Sequence, residues 1–544
     1  MNSKDLHELG LSLFSKRGTL LSLWQEQAEN FYPERADFTL RRALGTDFAA
    51  GLMTSYPLMC RRDLGDQIST MLRPTAKDWF HVALRDPFGA DNEAKRFLEW
   101  ASQTQRRAMY DPVTQFTRAT KEGDHDFACF GQTVISVRLN KNNDALLYRC
   151  FHLRDLAWAE NDQGTIGLIF RKWKPTNRDL VRMFKDKVHP SVRQENEKNP
   201  LGEVACMHMV VEADYYSGQA RGRPFFSIVY DADHNHEMEV VPVWNREYAI
   251  PRWQTVSGSQ YAFSPATIAA LPDARLIQAM TYTLLEAGEK VVNPPLIATK
   301  DVVRSDMAVY AGGVTWVDRD YDEKQGEALR PMTIDAKGMP LGVEMQKDSR
   351  MSIAAAFFLN KLTMPSRGPE MTAYEVGQRI QEYIRGALPI FEPMEMNYNG
   401  EICMLTWDLL LRNGAFTDPG TFPRAIQRAM AAGAMQFRFE SPLHDAIEAQ
   451  KGQKFMEMKG LIAEAIAMDK AAAGVPDVVT ALREALDGIG VPAKWINSEA
   501  RVAEIRDAQQ EEVQTQALLQ NMQAGADVAA TLATAQETQA AVAP

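Results

Sequence analysis

Apolar residues recur at steps of three and four through one long stretch: Val376, Ile380, Tyr383, Ala387, Phe391, Met394, Tyr398, Ile402, Leu405 and Leu409. That spacing lays them along one stripe of a helix. The predicted helix runs roughly 35 to 40 residues, ~55 Å at ~1.5 Å per residue. Thr372 reads as its N-cap, and Glu375 three positions on completes a capping box. Residues 352–362 predict a shorter apolar helix before it. Between the two, residues 363–371 hold Pro365, Gly368 and Pro369, which cannot continue a helix, so a short exposed loop is expected. Pro389 and Pro393 lie on one face of the long helix, and each removes a ladder hydrogen bond at about 3 kcal/mol. A marked kink is expected there, the alternative being two helices with a break. So long a helix needs a large apolar partner. The rest of this chain can supply one, and so can neighbouring copies.

Taken in order, the chain begins with a helical pattern over residues 4–31, with Leu9, Leu13, Leu20, Leu21 and Trp24 on the apolar side, ending at Phe31-Tyr32-Pro33. A helix over 55–72 stops at Arg73-Pro74. Residues 79–84 alternate like a strand, and 92–110 return to helix. The middle is β-rich. Runs 132–139 and 145–152 flank a hairpin loop, and 157–160 and 165–173 flank another. Thr176 with Asp179 starts a short helix through Phe184. Runs 204–216, 225–230 and 238–243 read as a meander. Residues 264–292 are helical and end at Asn293-Pro294-Pro295. Residues 296–331 form a small turn-rich β insert, with Gly312-Gly313 and an acidic run over 318–323. Helix resumes over 343–362. After Gly414 come a helix over 425–432, a strand over 436–439, and helices over 441–469, 475–486 and 493–519. The Ala, Gln and Thr of 520–544 predict disorder or a fraying helix. The fold class is therefore α+β, mainly helical, with segregated hairpins in its first third.

At 544 residues, two to four domains and a sizeable core are expected. The net charge of −11 argues against a broad nucleic-acid grip but leaves room for contact at a few basic points. The five cysteines are scattered and odd in number, with no CxxC pair, which suits a reducing compartment and no disulfide framework or zinc ribbon. The first residues, with Asp5 and Glu8, do not read as a signal peptide, and no apolar run reaches the ~18 residues of a membrane span.

The best metal-like cluster is Asp231-Ala232-Asp233-His234-Asn235-His236-Glu237. Carboxylates and imidazoles this close could hold a divalent ion. The segment also lies between two β-like runs, where Asp and Asn are turn formers, and a solvated hairpin turn is the preferred reading. The chain has no Walker loop, no GxGxxG after a strand and no GxSxG elbow. Trp and Met at helical spacing read as core.

Several pieces resemble the head-to-tail connector, or portal, proteins of short-tailed phages. They are WQEQAENFYPERADF near the N-terminus, GLMTSYPLMCRRDLGDQISTMLRPTAKDWFHVAL after it, AFSPATIAALPDARLIQAM leading into the 264–292 helix, and MTAYEVGQRIQEYI at the start of the long helix. The similarity covers nearly the whole chain and keeps these pieces in order. Asn397-Tyr398-Asn399-Gly400 departs from the family's plainer pattern, since a mid-helix Gly costs about 1 kcal/mol relative to Ala.

The resemblance implies a portal fold: a hairpin-rich α+β wing over 1–262, stem helices over 263–292 and 341–362, and a clip over 293–340. A tunnel loop over 363–371, a long kinked helix returning to the wing over 372–440, and a helical crown over 441–519 complete it, with a disordered tail over 520–544. It implies a homododecameric ring at the portal vertex of the virion, assembled in the host cytoplasm and free of membrane. Expected partners are the major capsid protein, scaffolding protein, terminase, tail adaptors and double-stranded viral DNA, gripped without sequence preference. No catalysis, cofactor or metal is implied, and packaging ATP hydrolysis would belong to a partner. In such a ring the tunnel loop's Pro365, Ser366, Arg367 and Gly368, with Lys361 just before, would face the DNA. The alternative from the residues is a metal-dependent DNA-processing enzyme built on Asp231 to Glu237.

Overall fold

A computed structural model describes residues 1–43, 45–75, 77–85, 92–298, 329–332, 338–362, 389–417, 419–440, 455–462 and 477–488, with isolated positions elsewhere. The expected loop over 363–371, the cap at Thr372 and Glu375, most of the β insert, the start of the 441–469 helix and the 520–544 tail lie outside the described residues. The chain divides into two units. One comprises Met1–His81, Ser102–Asp418 and Phe437–His444, the other Val82–Ala101, Pro419–Gln436 and Asp445–Pro544.

The first unit holds a five-stranded antiparallel meander in the order β4-β5-β6-β7-β8: β4 (Leu156–Glu160), β5 (Ile166–Trp173), β6 (Cys206–Glu212), β7 (Phe225–Asp231) and β8 (His236–Val243). Period-two alternation sorts its faces. Leu168 and Phe170, Met207, Met209 and Val211, and Phe226, Ile228 and Tyr230 share one face with Leu6 of helix α1 (Ser3–Ser15). On α1, a Cβ at Gly10 would come within 2.7 Å of the Phe170 ring, so the helix rests directly on the sheet. The other face packs Val204, Cys206, Val229 and Met238 against Leu180 of α6 (Asn177–Phe184) and Val192 of α7 (Pro190–Lys198). Thr176 caps α6 through the Asp179 N–H, as its sequence predicts.

A second, three-stranded sheet pairs β2 (Ile135–Leu139) with β3 (Leu146–Cys150) on one edge and β9 (Tyr248–Ala249) on the other. Beside it stand α2 (Gly18–Phe31), α3 (Tyr56–Leu72), α5 (Phe116–Phe130) and α8 (Pro265–Val292). Their core includes Trp24, Phe31, Ile68, Phe127, Phe130 and Ile277, all buried. β1 (Phe80–Leu84) pairs with β12 (Met435–Phe439). In the second unit, Phe97 of α4 (Asn92–Met109) lies 4.6 Å from Phe422, just before α12 (Arg424–Ala431), and α13 spans Val478–Gly488.

Three differences from the sequence expectation have physical causes. The single helix expected over 4–31 is two, because Arg17 turns inward. Its guanidinium donates to the carbonyls of Leu153 at 3.0 Å and Arg154 at 2.9 Å, and to that of Leu156. The helix expected over 343–362 is α9 (Met339–Ala356) plus the short α10 (Leu359–Leu362). Phe357 is buried against Phe31 at 5.4 Å, and Phe358 takes a left-handed φ of 58° beside Trp253. Finally, no pattern announced α5. Its inward side includes Thr120, Gly123, Asp124 and Asp126, so its buried face is not an apolar stripe.

Candidate assembly and channel elements

α8 is set on the body of the first unit at one end only. Ser264 caps it, and the Ser264 hydroxyl also donates to the Ala128 carbonyl at 2.7 Å. Thr267 donates to the Cys129 carbonyl at 2.7 Å. Gly131, at φ 73°, lets the end of α5 approach so closely that a Cβ there would collide with the Phe263 and Ser264 backbone. The buried residues of α8 are Ala266, Thr267, Ala270, Leu271, Ala274 and Ile277, all in its first half.

Beyond Ile277, α8 has α9 for a neighbour. Gly342 sits under Leu284, where a Cβ would come within 2.8 Å of its methyl, and Gln346 donates to the Thr281 hydroxyl at 2.8 Å. At the far end β10 (Leu296–Ala298) pairs with β11 (Leu329–Pro331). Among the described residues, much of the outer surface of this helical hairpin is uncovered. Tyr282, Leu285, Val291 and Val292 on α8, and Leu341, Val343, Met345 and Met351 on α9, all face solvent. Leu285 is 62% exposed and Val292 87%. Large apolar patches of this kind mark interaction surfaces.

Lys361 lies exposed in the last turn of α10. Pro365, Ser366, Arg367 and Gly368 lie outside the described residues. Pro389 and Pro393 occupy exposed helical positions immediately before a π-helical turn, Glu395–Asn399, which runs on into α11 (Gly400–Arg412). The helix is thus continuous through Asn397 to Gly400, by way of a π-turn. The expected stripe packs inward at Phe391, Met394, Tyr398, Ile402 and Leu405.

That turn is gripped by a buried polar group the sequence did not announce. Arg73, just past the end of α3, pairs with Asp124 of α5 and donates to the Asn399 side-chain oxygen at 2.6 Å. Asn399 donates in turn to the Leu72 carbonyl at 2.9 Å. The Arg73 guanidinium also lies 4.8 Å from the Tyr398 ring centre. Burial works against charge on Arg73, but Asp124 and the Tyr398 side chain outweigh it, and the net shift of the guanidinium is upward. The only local signal was a pair of acids, Asp124 and Asp126, set among Phe127, Ala128 and Phe130.

The Asp231 to Glu237 cluster is the turn between β7 and β8. It is less solvated than expected, because Asp231 is fully buried. One Asp231 oxygen accepts from the N–H groups of Asp233 and His234, and the other meets His234 Nδ1 at 2.8 Å. Asp233 accepts from the Ala205 N–H, and His236 Nε2 donates to the Lys187 carbonyl. The candidate ligands are spent on holding the turn. Among the described residues no three His, Cys, Asp or Glu side chains are placed to hold one ion. All five cysteines are free thiols. Among the described residues no helix is long and apolar enough to cross a membrane.

A hairpin with apolar side chains in water and a helix pinned to an α+β body by a buried ion pair are what a subunit of a larger assembly presents, and sequence comparison supplies the class. The profile described as "Bacteriophage head to tail connecting protein" matches residues 4–496, and the chain belongs to that family. It is similar to the "Probable portal protein" of Bordetella phage BPP-1, 22% identical over 418 residues, covering 75% of this chain and 74% of the relative. It is also similar to the "Portal protein" of Salmonella phage epsilon15, 23% identical over 326 residues, covering 56% of this chain and 55% of that one.

Proposed function

We propose that copies of this chain close into a portal ring at one capsid vertex, most simply a dodecamer, which joins head to tail and conducts double-stranded DNA during packaging and ejection. The observation that carries this reading is the α8–α9 hairpin. Its outer half keeps Tyr282, Leu285, Val292 and Leu341 in water in a single chain. At roughly 25 cal/mol per Å² of apolar surface, covering them against the next copy is strongly favourable. A head-to-tail contact between identical copies closes into a ring when its rotation divides the circle. In this reading α8 and α9 are the stem, the β10–β11 pair belongs to the clip, and the sheets and helices before Ser264 form the wing. The tunnel loop over 363–371 then faces the channel, with Lys361 just before it and Arg367 within it giving weak contacts to phosphates that carry no base information. The subunit is structural, and the capsid, scaffolding, terminase and tail proteins are its partners.

Particles viewed along their axis by electron microscopy test the ring, and a chain that stays single alongside its shell and scaffold proteins overturns it. DNA filling and retention by Lys361→Ala and Arg367→Ala test the channel role. Wild-type filling and retention in both would remove the loop from DNA contact.

A further inference from the structure

Between α2 and α3 lies a surface arm that the portal reading leaves without a task. Residues 39–53 read TLRRALGTDFAAGLM, with three charged side chains, Arg41, Arg42 and Asp47, against a majority of apolar ones. A connection this long without its own helix or strand is uncommon in a compact fold unless it has a function. Solvated loops are also ordinarily polar. Here Leu40 is 61% exposed and Phe48 41%, and Met53 is exposed with them.

Both ends of the arm are built in. At its start the Phe38 and Thr39 N–H groups donate to the buried Gln25 side chain at 2.8 and 3.2 Å, and Phe38 packs against Trp24 and Phe130. At its end the Met53 and Thr54 N–H groups donate to the Gln278 side-chain oxygen at 2.7 and 3.0 Å, while the Gln278 amide donates to the Thr54 carbonyl at 3.0 Å. Gln278 belongs to α8, at the level where burial of that helix ceases. The tip has local order of its own. Arg42 donates to the Pro33 carbonyl and lies 5.6 Å from the Phe48 ring centre, and the Ala49 N–H donates to Asp47.

We infer that the arm is an inter-copy clasp: the tip from Leu40 to Met53 of one copy lies on the exposed side of the α8–α9 hairpin of the next. This rests on the ring reading and deepens it. The occupant is argued from three features. A ring interface joins two different patches of the same chain, and the arm and the hairpin are two such patches, both apolar and both uncovered. The arm ends at the same level of α8 at which the exposed part of the hairpin begins, so the two surfaces adjoin there. The charges also suit. Arg41 is exposed and has no ion pair among the described residues, while Glu344 and Asp348, one helical turn apart on α9, are exposed and likewise unpaired there.

The test compares the full-length chain with the Leu40→Asp/Phe48→Asp variant by mass photometry and thermal melting. It also photo-crosslinks Phe48→p-benzoylphenylalanine in a mixture of light and heavy isotope-labelled copies. The clasp predicts at least a tenfold fall in ring yield for the charged variant with an unchanged melt of the single chain. It also predicts mixed-isotope crosslinks from position 48 to α8 or α9. Rings at wild-type yield, or crosslinks confined to one copy in particles that are rings, overturn the clasp and leave the ring standing. A wild-type chain that never oligomerises overturns both. Should the charged variant fail to fold, the crosslink map decides.

Discussion

Arg73 and Asp124 form an ion pair with almost no access to water, their side chains 3% and 0% exposed, and Asn399 completes the set from the π-turn. The three residues come from the end of α3, the middle of α5 and the turn before α11. The pair therefore fixes where the long helix meets the body. Removing one member of a buried pair strands the other, at about 3–5 kcal/mol, whereas replacing both by apolar groups can be nearly neutral. Asp124→Ala is expected to lower unfolding free energy by about that amount in urea, and Arg73→Met/Asp124→Leu by less. A double variant as unstable as the single would show that the charges themselves hold the turn.

Gly131 ends α5 in the left-handed region while facing the Phe263 and Ser264 backbone. A left-handed alanine costs about 1–2 kcal/mol before any collision is counted. Gly131→Ala is expected to exceed that figure in urea unfolding, because the neighbouring atoms are backbone and cannot swing aside. A loss under about 1 kcal/mol would mean that α8 can shift at its base.

Gly400 presents the opposite case. It is helical, and a Cβ there would meet nothing nearer than 3.7 Å. Gly400→Ala is therefore expected to raise stability by about 0.5–1 kcal/mol through the unfolded chain. Higher stability accompanied by poorer DNA filling would identify the glycine as a site where the helix must bend in use.

His208 is enclosed in the first unit, with Tyr248 and Ser227 each at 2.8 Å and Arg138 at 3.2 Å, Glu247 at 3.8 Å, and Arg171 bonded to the same Tyr248 hydroxyl. Burial first, then Arg138 and Arg171, push its pKa well down. The folded state thus holds a neutral imidazole, while the unfolded chain takes up a proton below about pH 6.5. Its contribution is constant above that pH. Below it, stability falls by up to about 1.4 kcal/mol per pH unit until the folded pKa is reached. Urea unfolding between about pH 7.5 and 5.5 should therefore show a shallower decline in His208→Gln than in wild type, and equal slopes would contradict the burial account.

Much of the fold was legible in local pattern, because local pattern is what decides which face of an element turns inward. The strand runs bounded by turn residues over 165–173, 204–216 and 225–230, the Thr176 cap, the Arg73-Pro74 stop and the stripe from Phe391 to Leu405 each depend on neighbours within a few residues.

Tertiary structure alone decided what joins distant residues. β9 pairs with β2, and β12 with β1, across long stretches of chain that periodicity cannot see. α5 escaped notice because its inward face carries Asp124 and Asp126, whose burial makes sense only once Arg73 and Arg35 arrive from other helices. The break at Arg17 likewise depends on carbonyls more than a hundred residues away. A buried charge is tolerated only where its partner is already in place, and that partner is a property of the folded chain.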